Sequence, residues 1–193
     1  MNASVRGWLR WTASFVAFPV GGVLGGLIAG PVDSWWAALS GGLVTGVVVG
    51  LGQALLSGRR LPVIRWTLAS AAGLGLGLML GAGAVDFGTS LPQSVSMGAL
   101  TGLALGVAQA IMLPVSAARR GVWVLALPLL WAVGWAVTTL VGVEVSRQFT
   151  VFGASGALTV SALAGVLLGV LLPVRPVPSG QPQPAPAASE GRS

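Results

Sequence analysis

One pattern recurs three times in this chain and limits its fold before any single residue is interpreted. A Trp is followed eleven positions later by a Gly: Trp11 to Gly22, Trp66 to Gly77 and Trp123 to Gly134. A ladder of small residues at four-residue spacing comes next: Gly42, Gly46 and Gly50; Gly98, Gly102 and Gly106; Ala157, Ser161 and Gly165. Three positions beyond the last rung stand Gln53 and Gln109 in the first two copies, and Leu168 in the third. A repeat specifies architecture, because each copy folds as one supersecondary unit against its neighbours.

Composition assigns the medium. Of 193 residues only 7% are charged and 54% are hydrophobic, against about 25% charged in a soluble domain. Mean hydropathy is +0.89, and the apolar runs are about 20 residues long, enough to cross a bilayer. Lipid cannot satisfy a bare N–H or C=O, so each run must be a helix. Six spans are predicted near 8–30, 35–57, 66–85, 94–114, 122–142 and 151–172. The expected fold is therefore all-α and integral to the membrane, with residues 1–175 forming one six-helix transmembrane domain. Its three helical hairpins cover about 8–57, 66–114 and 122–172. Each hairpin returns the chain to the side where it began, so the units are parallel repeats. Their axis should lie along the membrane normal, giving a pseudo-threefold bundle. Residues 1–30 have the charge pattern of a signal peptide, but the apolar run is too long and matches the other repeat members, which predicts a retained span. Residues 176–193 are rich in Pro, Ala, Ser and Gln and are expected to be a disordered cytoplasmic tail.

The net charge of +6 comes from arginine alone. Arg6, Arg10, Arg59, Arg60, Arg65, Arg119, Arg120, Arg175 and Arg192 fall on one set of alternate loops and termini, and Arg147 on the other. By the positive-inside rule both termini are cytoplasmic, in a multi-pass protein of the inner (plasma) membrane. Asp33, Asp86 and Glu144 fall one per outer loop. Trp8, Trp11, Trp66 and Trp123 are read as interface markers at the inner ends of the odd spans, and Trp35 and Trp36 as markers of an outer end. Trp131 and Trp135 are the mid-span exceptions, and Pro19 and Pro128 are candidate kinks.

The ladders predict packing. Residues four apart share a helix face, and stripping that face of side chains lets a second backbone approach closely. Gly42, Gly46, Gly50, Gly98, Gly102, Gly106, Ser161 and Gly165 are the expected packing positions, with Gly22, Gly26, Gly30, Gly73, Gly77 and Gly81 on the odd spans. Gln53 and Gln109 share the ladder face and have Thr45 and Thr101 two turns away. These four are candidate polar packing residues, bonded between helices; the alternative is that they line a pathway near an inner mouth.

Much chemistry is excluded. Without Cys, His, Lys or Tyr, the chain lacks most general acids and bases, thiolate ligands and the Schiff-base nucleophile. No ionisable residue is placed inside a span, which argues against a proton relay or a carrier of charged solutes. An outer ring of Asp33, Asp86 and Glu144 is the bolder reading of those acids; solvated loop residues are the plainer one. Gly73-x-Gly75-x-Gly77 lacks the strand that a phosphate loop requires. No catalytic residue, metal site or cofactor is predicted, and nucleic acid is not an expected partner.

Residues 42–53 (GLVTGVVVGLGQ) and 98–109 (GALTGLALGVAQ), with the Trp-led odd spans, resemble uncharacterised bacterial multi-span membrane proteins that carry repeated GxxxGxxQ blocks. The resemblance covers nearly all of residues 8–172 and implies architecture only. An aromatic residue often follows the Gln in those proteins, whereas Ala54 and Ala110 stand here. The three-hairpin count is shared with mitochondrial carriers, but their Pro-x-acid-x-x-base signature is missing.

The expected function is that of a non-enzymatic packing protein, a scaffold or a subunit in a membrane assembly with other subunits or further copies of itself. The alternative is a channel or facilitator for a small neutral solute. The topology is directly testable. A reporter active only in the periplasm, fused after Ser193, should stay silent; activity there overturns the assignment of the termini.

Overall fold

The computed structural model describes residues 2–172. Helix is the only regular structure among them, and six helical segments are long and apolar enough to cross a membrane. The first span, Ala3–Ala29, consists of α1 (Ala3–Ala13), a 3-10 turn (Ser14–Val16) and α2 (Ala17–Ala29). The others are α3 (Trp35–Leu56), α4 (Val63–Ala84), α5 (Leu91–Met112), α6 (Ala117–Leu140) and α7 (Ala154–Leu171). The expected tail, 176–193, lies outside the described residues, as do Arg175 and Arg192.

Capping sets the helix starts. The Asn2 side chain accepts from Ser4 N at 3.1 Å, and Ser34 Oγ accepts from Ala37 N at 3.3 Å. Gln93 reaches back to accept from Ser90 N at 3.1 Å, as in a capping box. Four helices begin at Ala3, Val63, Leu91 and Ala117, ahead of the 8, 66, 94 and 122 predicted, and the caps at Asn2 and Ser90 set the first and third of these starts. Hydropathy trims a charged turn from a span, whereas a cap includes it. Arg6 and Arg10 therefore lie on α1, Arg65 on α4, and Arg119 and Arg120 on α6. Arg120 Nε donates to Leu113 O and Arg119 Nη1 to Leu171 O, both at 3.1 Å. These are carbonyls at the ends of α5 and α7, where a cation also meets the favourable end of the helix dipole.

Each span packs on the one before and the one after, and α7 returns to α1, so the neighbours close into a ring. The ladders lie at these seams. A Cβ on Gly42 would meet Gly75 Cα and Leu74 O at 2.8 Å; one on Gly46 would meet Ala71 Cα and Ser70 O at 2.6 Å; one on Gly50 would meet Ser70 Cβ at 2.7 Å. Those contacts seat α3 on α4. Gly98, Gly102 and Gly106 seat α5 on α6 in the same way, with Leu127 O only 2.5 Å from a Cβ at Gly102. Gly73, Gly77 and Gly81 face α5. At the last seam Gly165 faces the rings of Trp11 and Trp8 instead of a backbone, and Ala157 and Ser161 are buried.

The first span departs from its predicted ladder. Gly21 and Gly25 face α3, where a Cβ would lie 3.1 Å from Thr45 O and 2.8 Å from Gly41 O respectively, whereas a Cβ on Gly26 or Gly30 would meet nothing within 4 Å. The 3-10 turn is the reason. Three residues at three per turn instead of 3.6 advance the helix by roughly 60°. That brings Gly21 and Gly25 round to the face where Gly22 and Gly26 were expected. Pro19 accounts for the position of the turn, since it cannot donate to the carbonyl of Phe15. Pro128 lies inside α6 without ending it.

The other end of the bundle is plugged by the connection from α6 to α7, residues 141–153. Thr150 Oγ1 lies 2.9 Å from Thr45 Oγ1, and Gln148 Nε2 donates to Phe87 O at 2.9 Å. Phe152 is buried against Phe18, Trp131 and Trp135, with ring centroids 5.3, 4.9 and 6.1 Å away. The sixth span was expected from 151. It starts at Ala154 because Val151 and Phe152, apolar as they are, belong to this plug and Gly153 is extended.

Backbone contact makes a clear prediction. Gly46→Ala and Gly102→Ala should each destabilise the bundle by about 1–3 kcal/mol, since no flexible side chain can yield. Gly26→Ala should be neutral or stabilise by up to about 1 kcal/mol. Unfolding in mixed detergent micelles measures all three, and equal effects would refute the seam assignment.

Candidate functional site

Among the described residues, the hydrogen bonds that join side chains of two different helices lie in one buried cluster, near the end of the bundle that carries Arg59, Arg60, Arg119 and Arg120. The α3–α4 seam brings Gln53 beside Trp66, and the α5–α6 seam brings Gln109 beside Trp123. An indole N–H can only donate, so each glutamine must present its Oε1. Trp66 Nε1 donates to Gln53 Oε1 at 3.1 Å, and Trp123 Nε1 to Gln109 Oε1 at 3.3 Å. The amide nitrogens are thereby aimed away from the indoles. Gln109 Nε2 donates to Ser70 Oγ at 2.9 Å and to Gln53 Oε1 at 3.3 Å. The cluster thus joins α3, α4, α5 and α6. Gln109 is 1% exposed and Gln53 7%, so neither opens on solvent or lipid.

The indoles also touch one another. Trp66 stands edge-on to Trp11 at 6.4 Å and tilted to Trp123 at 6.2 Å between centroids, spacings at which aromatic pairs attract. This corrects the interface reading for three tryptophans. Trp11, Trp66 and Trp123 lie in the core at 2%, 0% and 1% exposure. A tryptophan faces the interface to keep its N–H wet, and an internal amide removes that need for Trp66 and Trp123, whereas Trp11 Nε1 is buried without a partner. Trp36 is fully exposed on the outside and Trp35 half so, while Trp8 Nε1 donates to Ala162 O at 2.9 Å.

Gln53 and Gln109 are therefore brought together, and Thr45 and Thr101 are not part of their cluster. Thr45 Oγ1 donates to Gly21 O at 3.0 Å beneath the plug, and Thr101 Oγ1 donates along its own helix to Met97 O at 2.8 Å. The acids do not converge either. Glu144 pairs with Arg147 at 3.5 Å, both well exposed, and no cluster of three metal-ligating side chains occurs among the described residues. The indole partners were missed in the sequence, although a signal was present: Trp66 follows Gln53 by 13 residues and Trp123 follows Gln109 by 14. Ser70 carried no such signal.

The cluster contains no titratable group, and its one hydroxyl, Ser70 Oγ, accepts from Gln109 with no general base beside it in the cluster. It can hold helices in register, and it can discriminate nothing that does not enter it. Comparison with known protein families, with curated proteins and with solved structures finds no match for the chain.

Gln109 makes three bonds across helices and Gln53 two, which orders two variants. Gln109→Leu should lower stability by about 1–3 kcal/mol by leaving the Trp123 N–H and the Ser70 hydroxyl without their partner and removing one of the two bonds to Gln53. Gln53→Leu should cost less. Reversal of that order in detergent unfolding would refute the network.

Proposed function

We propose that this protein is a non-enzymatic subunit or scaffold of a membrane assembly, built as three parallel hairpin repeats around a pseudo-threefold axis, with both termini in the cytoplasm. The observation that carries the reading is a small-residue face that the chain does not use. Gly22 and Gly26 point away from α3: a Cβ on Gly22 would meet Val151 at 3.1 Å and Thr150 Oγ1 at 4.0 Å, and one on Gly26 nothing within 4 Å. They open on an apolar groove of about 340 Å³ between the first span and the plug, bordered by Pro19, Val23, Leu27 and Phe149. A glycine pair four apart, exposed to lipid, is what a second helix needs for close approach. Ridges flank it, with Leu27 78% and Val23 62% exposed.

The facilitator reading has weaker support. A pathway needs polar groups facing an opening. The two amides proposed for its mouth are bonded to indoles and to each other, and aromatic rings fill the opposite end.

Purification in a mild detergent tests the choice. The expected outcome is a stoichiometric partner, or a dimer of this chain, lost in Gly26→Leu while the variant remains folded. Solute flux through liposomes containing the wild-type chain alone, with neither partner nor dimer recovered, would overturn the proposal.

A further inference from the structure

The seam between α1 and α7 holds a buried donor with no acceptor in the protein. Trp66 and Trp123 each give their N–H to the glutamine three residues after a ladder glycine, Gln53 after Gly50 and Gln109 after Gly106. Against Trp11 the ladder glycine is Gly165, and three residues later stands Leu168, which accepts nothing. Trp11 is 2% exposed and its Nε1 has no hydrogen-bond partner. Its Cδ1, the ring atom bonded to Nε1, lies 2.8 Å from the Cβ position of Gly165. That edge of the indole therefore faces α7, where the missing amide would have been.

A cavity of about 170 Å³ lies there, bordered by Trp11, Leu168, Gly169, Ser57 and Arg60. It is several times the ~30 Å³ that one water occupies in the liquid. Through Gly7, Ser57 and Arg60 it adjoins a second cavity of about 350 Å³, bordered also by Arg6 and Arg10. The half-buried Arg60 lies across α1, its Nη2 3.0 Å from the Cβ position of Gly7, while Arg10 Nη1 stands 4.0 Å from that of Gly58. No carboxylate answers this charge among the described residues: Asp33, Asp86 and Glu144 are in the connections at the opposite end, and the one ion pair is there too. Arg119 and Arg120 differ, since each donates to a helix-end carbonyl.

We propose that this seam is a binding site for a phosphate group. The exposed Arg6 and Arg10 draw it in, the guanidinium of Arg60 holds it, and a small shift of the seam lets its innermost oxygen accept from the N–H of Trp11, which is fully buried in this structure. Water would satisfy the indole but would leave the half-buried guanidinium of Arg60 uncompensated beside a low-dielectric interior, whereas Arg6 and Arg10 are exposed. A phosphate satisfies both, and guanidinium matches its geometry with two parallel donors. Basic pockets between transmembrane helices take the head groups of anionic lipids in this way. A soluble phosphate carries the same chemistry and is separated by experiment.

The test uses the full chain in dodecyl maltoside. Short-chain phosphatidylglycerol and inorganic phosphate are titrated separately, with binding read from the rise in thermal midpoint. The expected result is saturable stabilisation by one of them. Phosphatidylglycerol alone identifies a lipid head group; inorganic phosphate acting equally well identifies a soluble anion at the same site. Arg60→Gln should weaken binding roughly tenfold or more, as loss of a charge-assisted bond does. Leu168→Gln, which supplies the missing acceptor and fills the cavity, should abolish binding while raising the midpoint of the unliganded protein. Trp11→Phe keeps a ring against Trp66 and removes only the donor, so it serves if Leu168→Gln does not fold; it should weaken binding several-fold. Stabilisation by neither probe, or wild-type affinity in both Arg60→Gln and Trp11→Phe, overturns the proposal.

Discussion

Backbone contact between helices is the constraint on which this structure depends. Lipid gives an apolar side chain no reason to leave it, so the spans are held by dispersion at short range and by the few hydrogen bonds that proximity permits. Glycine removes the side chain that would keep two helices apart. Along α3 and α5 that removal is repeated every four residues, and each rung meets backbone or Cβ atoms of the next span. At Gly42, Gly46 and Gly102 the neighbours are main-chain atoms that cannot rotate away, which makes these positions intolerant even of a methyl group.

The polar cluster follows from that contact. Only because α3 lies so close to α4 can Gln53 reach Trp66, and only because α4 and α5 converge through Gly73, Gly77 and Gly81 can Gln109 reach Ser70. The chemistry is then forced by donor and acceptor inventory. Indoles can only donate, carbonyl oxygens of the amides take them, and the amide protons of Gln109 find a second glutamine and a serine. Such a network fixes register more sharply than it adds stability, since a one-residue slip would strand several buried groups together.

Much of this was legible in the sequence, and the failures have physical causes. Six spans, the seams at Gly42–Gly50 and Gly98–Gly106, and the two glutamines could be read from spacing. The helix starts could not be placed by hydropathy, because caps at Asn2 and Ser90 extend helices through polar turns. The first-span ladder shifted by one residue because a 3-10 turn, placed by Pro19, altered its phase. The plug was hidden because Val151 and Phe152 continue an apolar run, and nothing in periodicity distinguishes a residue inside a span from one folded back against its end. Three tryptophans were assigned to the interface on a sound general preference that an internal acceptor overrides at Trp66 and Trp123, and that packing alone overrides at Trp11.

The same inventory explains why the α1–α7 seam differs from the rest. At the other ladder seams Gly meets backbone, and an amide then closes the polar end. Here Gly165 meets two indole rings, the ring of helices is joined by the single bond from Trp8 to Ala162, and Leu168 closes nothing. Side chains pack less tightly against a helix than a helix backbone does, so this is where space remains and where a donor is left over. Unmet hydrogen bonding and unmet charge coincide here, at a seam whose packing leaves room for a molecule to supply both. A chain that had only to close its ring would lose nothing by a glutamine at Leu168, since Trp11 already waits beside it. Leucine there keeps the seam dependent on something from outside.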